Sequence, residues 1–302
     1  MSAWQDALNI PYSFYLLTSI VALVTAGGYP VTLHWARGRR ARRTGESLAS
    51  GASHDSLNRR QAAAFYLGIL LAYLSASWPL GELARHYSVL AYVFSSSLLC
   101  LGAVPLLVWG FPRWAWAEMT RSAGIDAALH ALCRPVPATA FFAAALTGSM
   151  LPGVVSWQGS TEAAWVAGRL ILAMAAVIIW ATAFGVLPGL PKLSRLGRVM
   201  FLFAQSIIPS APAIVLVFAR HDLYPHFAHF RLLLGISALT DQQLAGGLAK
   251  VMAIGVFWTA AGIVLARGGS ASQAGDDVEI NWDDVERELQ RADRRGPHAL
   301  SP

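Results

Sequence analysis

Charge is scarce in this chain. Only 13% of its residues are Asp, Glu, Lys or Arg, about half the share of an average soluble domain, while 55% fall in the hydrophobic class. That balance excludes an ordinary water-soluble fold. Cysteine is nearly absent: Cys100 and Cys133 are the only two, and no CxxC pair exists. Neither a disulfide framework nor a dithiol redox or metal motif is therefore part of the design. Carboxylates are missing from the long apolar runs, which weighs against an ion- or proton-coupled transporter, because such proteins use acids at mid-membrane. No GxSxG, HExxH, P-loop or dinucleotide fingerprint occurs, and nothing argues for an enzyme. Residues 1–10 lack the basic start of a signal peptide and no small-residue cleavage site follows, so the first apolar run is expected to stay in the protein.

What the chain has is apolar length. A bilayer core of roughly 30 Å needs about 20 apolar residues per helix, and seven runs of that order cover residues 12–35, 61–80, 87–110, 136–156, 163–187, 199–219 and 243–266. The sequence thus predicts an all-α polytopic membrane protein, a bundle of seven transmembrane helices over residues 1–267, followed by a cytoplasmic tail at 268–302. Pro209 and Pro212 lie inside the sixth run, where a kink is expected rather than a break, with Ser210 or a neighbouring helix satisfying the freed carbonyl.

Orientation follows from the cations. Alternate loops divide 18 Lys and Arg on one side against three, Arg85, Arg220 and Arg231, on the other. Because translocating cations is disfavoured, the N-terminus is expected outside and the C-terminus in the cytoplasm. The dense run Arg37, Arg39, Arg40, Arg42 and Arg43 then reads as a cytoplasmic loop at the lipid surface and not as a nucleic-acid site, since apolar runs flank it. Trp78, Trp114, Trp116, Trp157 and Trp165 fall near run ends, where an indole buries its ring and wets its N–H. The stretch from Trp114 to Leu132 has the pattern of an interfacial helix. In the tail, Trp282, Val285 and Leu289 share one face of a short amphipathic helix.

Two cations, Arg169 and Lys250, lie inside apolar runs, and a charge there is costly enough to be a functional candidate. The plainer reading is that both side chains snorkel outward to the headgroups. A lysine in the last of seven helices also suggests a retinal Schiff base, but the third run offers Ser95, Ser96 and Ser97 where a buried carboxylate counter-ion is required. The loop between the sixth and seventh runs carries His221, Asp222, His226 and His229, with His86 on the same side. Imidazoles at that spacing suit Zn or Cu, while solvated loop histidines are the plainer alternative.

Several strings occur together in order: Ala64, Phe65, Tyr66, Leu67, Gly68; Trp78, Pro79, Leu80; Gly110, Phe111, Pro112, Arg113, Trp114; Leu223, Tyr224, Pro225; and Asp241, Gln242, Gln243, Leu244, Ala245, Gly246. Over about residues 30–267 the chain resembles the CtaG-type family of cytochrome c oxidase assembly factors. The resemblance implies a bacterial inner-membrane protein that helps mature a haem-copper oxidase, assisting copper delivery at the outer face. Its implied partners are oxidase subunits or other copper-handling assembly proteins. It also implies histidine pairs, H-M-x-Q-H in the third helix and a second pair four residues apart in the fifth. This chain has Tyr92 and Ser96 at the first, Trp165 and Arg169 at the second, and Lys250 where a tryptophan is expected. Asp241, Gln242 and Gln243 do match; an Asp at a helix start caps free N–H groups, and that structural role stands beside one in partner contact. Two other functions stay open: a small-molecule or metal permease lined by Arg169 and Lys250, and an accessory subunit held in a respiratory complex.

Overall fold

The computed structural model describes residues 13–44, 58–187, 193–227 and 236–271. His229, Lys192, Arg231 and the tail helix with Trp282, Val285 and Leu289 lie outside the described residues. Among those described, the secondary structure is helical throughout, with no strand. Four helices are long and apolar enough to cross a membrane, Leu16–Arg42, Val89–Gly110, Glu162–Phe184 and Ala238–Ala266, and the count rises to six if each of two bent pairs is one crossing. Their outer faces carry Leu23, Val24, Met174 and Val251 at 64–72% exposure, apolar surface that suits hydrocarbon and not water.

Helix α1 (Leu16–Thr44) runs well past its apolar part. At 1.5 Å per residue its 29 residues span about 43 Å, more than the hydrocarbon thickness. The arginine run expected in a loop is therefore the last turns of this helix: arginine is a good helix former, and cations are favoured at a helix C-terminus. Arg37 reaches over the Trp114 ring at 5.4 Å and Arg39 over Trp35 at 4.6 Å.

Helix α2 (Arg59–Ala76) starts at Asn58, whose side chain accepts the Arg60 N–H at 3.0 Å. It turns by 46° into α3 (Leu80–Tyr87). Helix α4 (Val89–Gly110) packs on α2 through glycine: a Cβ on Gly110 would stand 2.6 Å from the Phe65 nitrogen. Within α4 the Val104 N–H bonds to Leu99 O in a π-helical segment, Leu98–Ala103. The Cys100 carbonyl is thereby released from the ladder and accepts the Trp180 indole N–H at 2.9 Å.

Two short helices stand where one interfacial stretch is expected: α5 (Arg113–Met119) packs into the bundle with Ala115, Ala117 and Glu118 buried, and α6 (Ala123–Leu132) has no buried residue. A bend of 85° leads into α7 (Pro135–Ser149). The expected run 136–156 is divided, because Pro152 holds Leu151 in extended backbone and starts α8 (Pro152–Ser160). Helix α9 (Glu162–Phe184) is the axis of the bundle, capped by Thr161 and ended by Gly185 in the left-handed region at φ 58°. Its Trp165, Leu172, Ile179 and Trp180 are at most 2% exposed.

The kink expected in the sixth run is a break. Helix α10 (Arg195–Gln205) stops, a tight turn Ile208–Ser210 intervenes, and α11 (Ala211–Phe218) resumes. Two prolines within four residues remove two ladder N–H donors, which leaves too little helix between them to stay continuous. Helix α12 (Ala238–Ala271) closes the bundle against α4, α10 and α11.

Candidate functional site

One helical turn separates Trp165 from Arg169 on α9, and one turn separates Tyr92 from Ser96 on α4, so each pair shares a face. The two faces meet. Arg169 donates from Nη1 to Ser96 Oγ at 2.9 Å and to Ser95 Oγ at 3.3 Å, and from Nη2 to Gln158 Oε1 at 3.1 Å. Its guanidinium lies 4.1 Å from the Trp165 ring centroid and 5.0 Å from that of Tyr92. With 5% exposure, Arg169 points into the bundle, and the snorkelling reading fails for it.

The acceptors are themselves held. Ser95 and Ser96 donate their protons to Ser75 O at 2.6 Å and Tyr92 O at 2.8 Å, which leaves their lone pairs for the guanidinium. Tyr92 Oη donates to Ser149 O at 2.7 Å and accepts from Gln158 Nε2 at 3.0 Å, turning Gln158 Oε1 toward Arg169. Gly168 makes room, since a Cβ there would stand 2.4 Å from Gln158 Oε1. The Trp165 indole donates to Ala76 O at 2.8 Å, so this tryptophan is a fully buried strut and not the interfacial anchor its position suggested. Among the described residues no carboxylate pairs with Arg169, and its Nε has no hydrogen-bond partner. A full positive charge is thus held by neutral dipoles and two π faces, an arrangement in which low dielectric strengthens each contact.

Asp241, 3% exposed, forms the second polar centre. Its carboxylate accepts from Ser88 Oγ at 2.7 Å, Val89 N at 2.7 Å and Leu90 N at 3.4 Å, all at the start of α4. The cap is across helices: Asp241 satisfies the free donors of α4, while α12 is capped by Ser237, whose hydroxyl accepts the Thr240 N–H at 3.1 Å. Gln242 Oε1 accepts from Leu223 N at 2.9 Å and its Nε2 donates to His221 O at 3.4 Å. Gln243 donates to Ala219 O at 3.1 Å, just past the end of α11. Gly246 lets α11 approach, since a Cβ would lie 2.5 Å from Ala213 O. The string Asp241 to Gly246 is therefore one fastening of α12 to α4, α11 and the loop between.

The histidines separate. His226 Nε2 lies 2.8 Å from Arg85 O, so that nitrogen carries the proton and has no lone pair for a metal. Its ring centroid is 6.3 Å from that of His86, whose Nε2 is 3.9 Å from Glu82 Oε1. His221 is engaged through its carbonyl by Gln242. Among the described residues no group of three His, Cys, Asp or Glu side chains stands together as a metal site. Lys250 does not join Arg169: it donates to Ser206 O at 3.0 Å, at the break between α10 and α11, and Trp258 Nε1 meets Ser206 Oγ at 3.2 Å.

The four positions where imidazoles are expected by resemblance, Tyr92, Ser96, Trp165 and Arg169, converge on one point, but what they present does not fit copper. A permanently charged guanidinium occupies the centre, the Ser96 hydroxyl already accepts from it, the Tyr92 hydroxyl accepts from Gln158, and an indole offers no lone pair. Sequence reasoning missed Gln158, Ser75 and Ser88. A lone Gln between Trp157 and Gly159 was the available signal for Gln158; the other two carry none, because their partners are fixed by tertiary contact. At the same end, Tyr15 donates to Glu82 Oε2 at 2.9 Å and Thr18 N to Glu162 Oε1 at 3.1 Å, docking the start of α1.

The family model described as cytochrome c oxidase caa3 assembly factor (Caa3_CtaG) matches residues 32–268. Comparison with curated proteins and with solved structures returns no match.

Proposed function

The chain belongs to the cytochrome c oxidase caa3 assembly factor family, and from that premise we propose that it acts as a membrane-embedded chaperone of a haem-copper oxidase through protein contacts, without copper held among its helices. The Arg169 cage carries the second half of this reading. A fixed cation at the meeting point of α4 and α9 repels a metal cation and supplies no soft ligand in its place. What the bundle offers an oxidase subunit instead is a rigid frame whose polar groups are turned inward and whose outer faces are apolar.

The frame spans a bacterial inner membrane seven times in this reading. Four continuous helices supply the odd-numbered crossings, α2 with its bent continuation α3 the second, α7 with α8 the fourth, and the broken α10–α11 pair the sixth. The N-terminus lies outside and the C-terminus in the cytoplasm. In support, Arg37 meets Trp114 and Arg113 shares a cavity with Arg195 and Arg198, so cations from three predicted cytoplasmic segments gather at one end. Asp241, Gln242 and Gln243 set the opposite, outer end, and any copper handed to the oxidase there is cargo of the assembly and not a resident ion.

Removal of the protein from its host tests the reading. Oxidase activity and subunit accumulation are expected to fall together. Unchanged activity, subunit levels and oxidase copper content in the deletion strain would refute it.

A further inference from the structure

A cavity of about 920 Å³ opens between α4, α9, α10 and α12, at the end of α9 away from Arg169. That volume lies near the top of the roughly 300–1,000 Å³ range of ligand pockets. Its walls are apolar, with Trp109, Phe184, Val256 and Ile263 among them, and its polar lining includes Arg113, Arg195 and Arg198. Trp109 is 43% and Ile263 47% exposed, so the apolar wall continues onto the outer surface of the bundle. Arg195 spends a donor on Leu265 O. Arg198 is different: its Nε is buried without a hydrogen-bond partner, and Arg113 lines the same cavity. Among the described residues no carboxylate pairs with any of the three. Two guanidiniums that repel each other, beside an apolar trench open to the side, call for an anion that carries a hydrocarbon body.

We propose that this cavity seats one anionic phospholipid, with its phosphate between Arg113 and Arg198 and an acyl chain along Trp109 and Ile263. Charge complementarity selects the headgroup: a phosphodiester accepts the fork of a guanidinium and relieves the repulsion between the two. The apolar wall selects a lipid over free phosphate, which would leave that surface uncovered. The inference does not depend on the oxidase reading, because it rests on the cavity alone.

Native mass spectrometry of the full-length protein in detergent tests it, with phosphatidylglycerol and phosphatidylcholine as probes. The native chain is expected to retain one phosphatidylglycerol in preference to phosphatidylcholine, and inorganic phosphate is not expected to displace it. Each cation near an anionic headgroup contributes a factor of about five, so the Arg113→Gln/Arg198→Gln variant should bind about 25-fold more weakly. Arg220→Gln, which removes a charge at the other end, should bind as the native chain does. Equal retention of the two lipids, displacement by inorganic phosphate, or unweakened binding in the double variant would each overturn the proposal. If the double variant fails to accumulate, Ile263→Trp keeps every arginine and fills the trench; it should lose the lipid, and undiminished retention would overturn the proposal as well.

Discussion

Arg169 and Arg198 are arginines of one bundle, near opposite ends of α9, and they are housed in contrary ways. Arg169 has two serine hydroxyls, a glutamine carbonyl and two aromatic faces around it, each fixed by a further bond. Arg198 faces Arg113 across a cavity and keeps a buried donor without an acceptor. At the Asp241 end both terminal nitrogens of the Arg169 guanidinium and both carboxylate oxygens of Asp241 are engaged from within the chain, and only Arg169 Nε among those atoms is not. The Arg198 guanidinium has no side-chain hydrogen bond to the described residues, and the proposed phospholipid would complete it. Burial alone therefore does not say what a charge is for; the state of its partners does.

If the frame around Arg169 and Asp241 is fastened from within the chain, changes to it should cost stability in detergent, the largest first. Asp241→Ala strips the α4 N-terminus of a buried charged acceptor for three donors and should cost about 2–4 kcal/mol, read as a large fall in thermal unfolding temperature. An unfolding temperature equal to that of the native protein would remove the clamp from the account. Gly168→Ala should follow, at about 1–2 kcal/mol. The methyl displaces Gln158 from between Tyr92 and Arg169, a loss only partly offset by the better helix propensity of alanine. Lys250→Met should cost about 1 kcal/mol, the worth of one hydrogen bond to Ser206 O at the α10–α11 break.

The smallest effect sharpens the contrast most. Arg198→Gln should change stability by no more than about 0.5 kcal/mol in lipid-free detergent, since the side chain satisfies nothing in the chain and its loss relieves repulsion with Arg113. A destabilisation as large as that of Gly168→Ala would place Arg198 in the frame and erase the difference between the ends.

Much of this is legible in the sequence. The helical class follows from apolar length, and Arg113, Arg195 and Arg198, from two of the loops on the cation-rich side of the count, line one cavity. Arg169 stands out in sequence because a charge in an apolar run is costly. Its cage does not, because Tyr92, Ser95 and Ser96 lie more than 70 residues away and only the α4–α9 contact brings them in. For Asp241, sequence position suggests a cap on its own helix, and the structure puts its carboxylate on another: the first turn of α12 lies beside the start of α4, and spacing along one chain carries no record of that. The prolines announce their breaks, yet whether Pro209 and Pro212 kink or divide a helix depends on partners such as Lys250, which donates to Ser206 O at the break. The arginine run was misplaced for a similar reason, since polarity marks the end of a membrane crossing and not the end of the helix that makes it.

On the proposed reading this family member assists oxidase assembly by contact. The decisive experiment is affinity purification of the full-length chain in mild detergent, followed by identification and cofactor analysis of what accompanies it. Oxidase subunits lacking their full haem and copper complement should co-purify, and should do so undiminished from cells grown under copper limitation. Association with the mature oxidase alone, or with no oxidase subunit in cells that are making the enzyme, would contradict it.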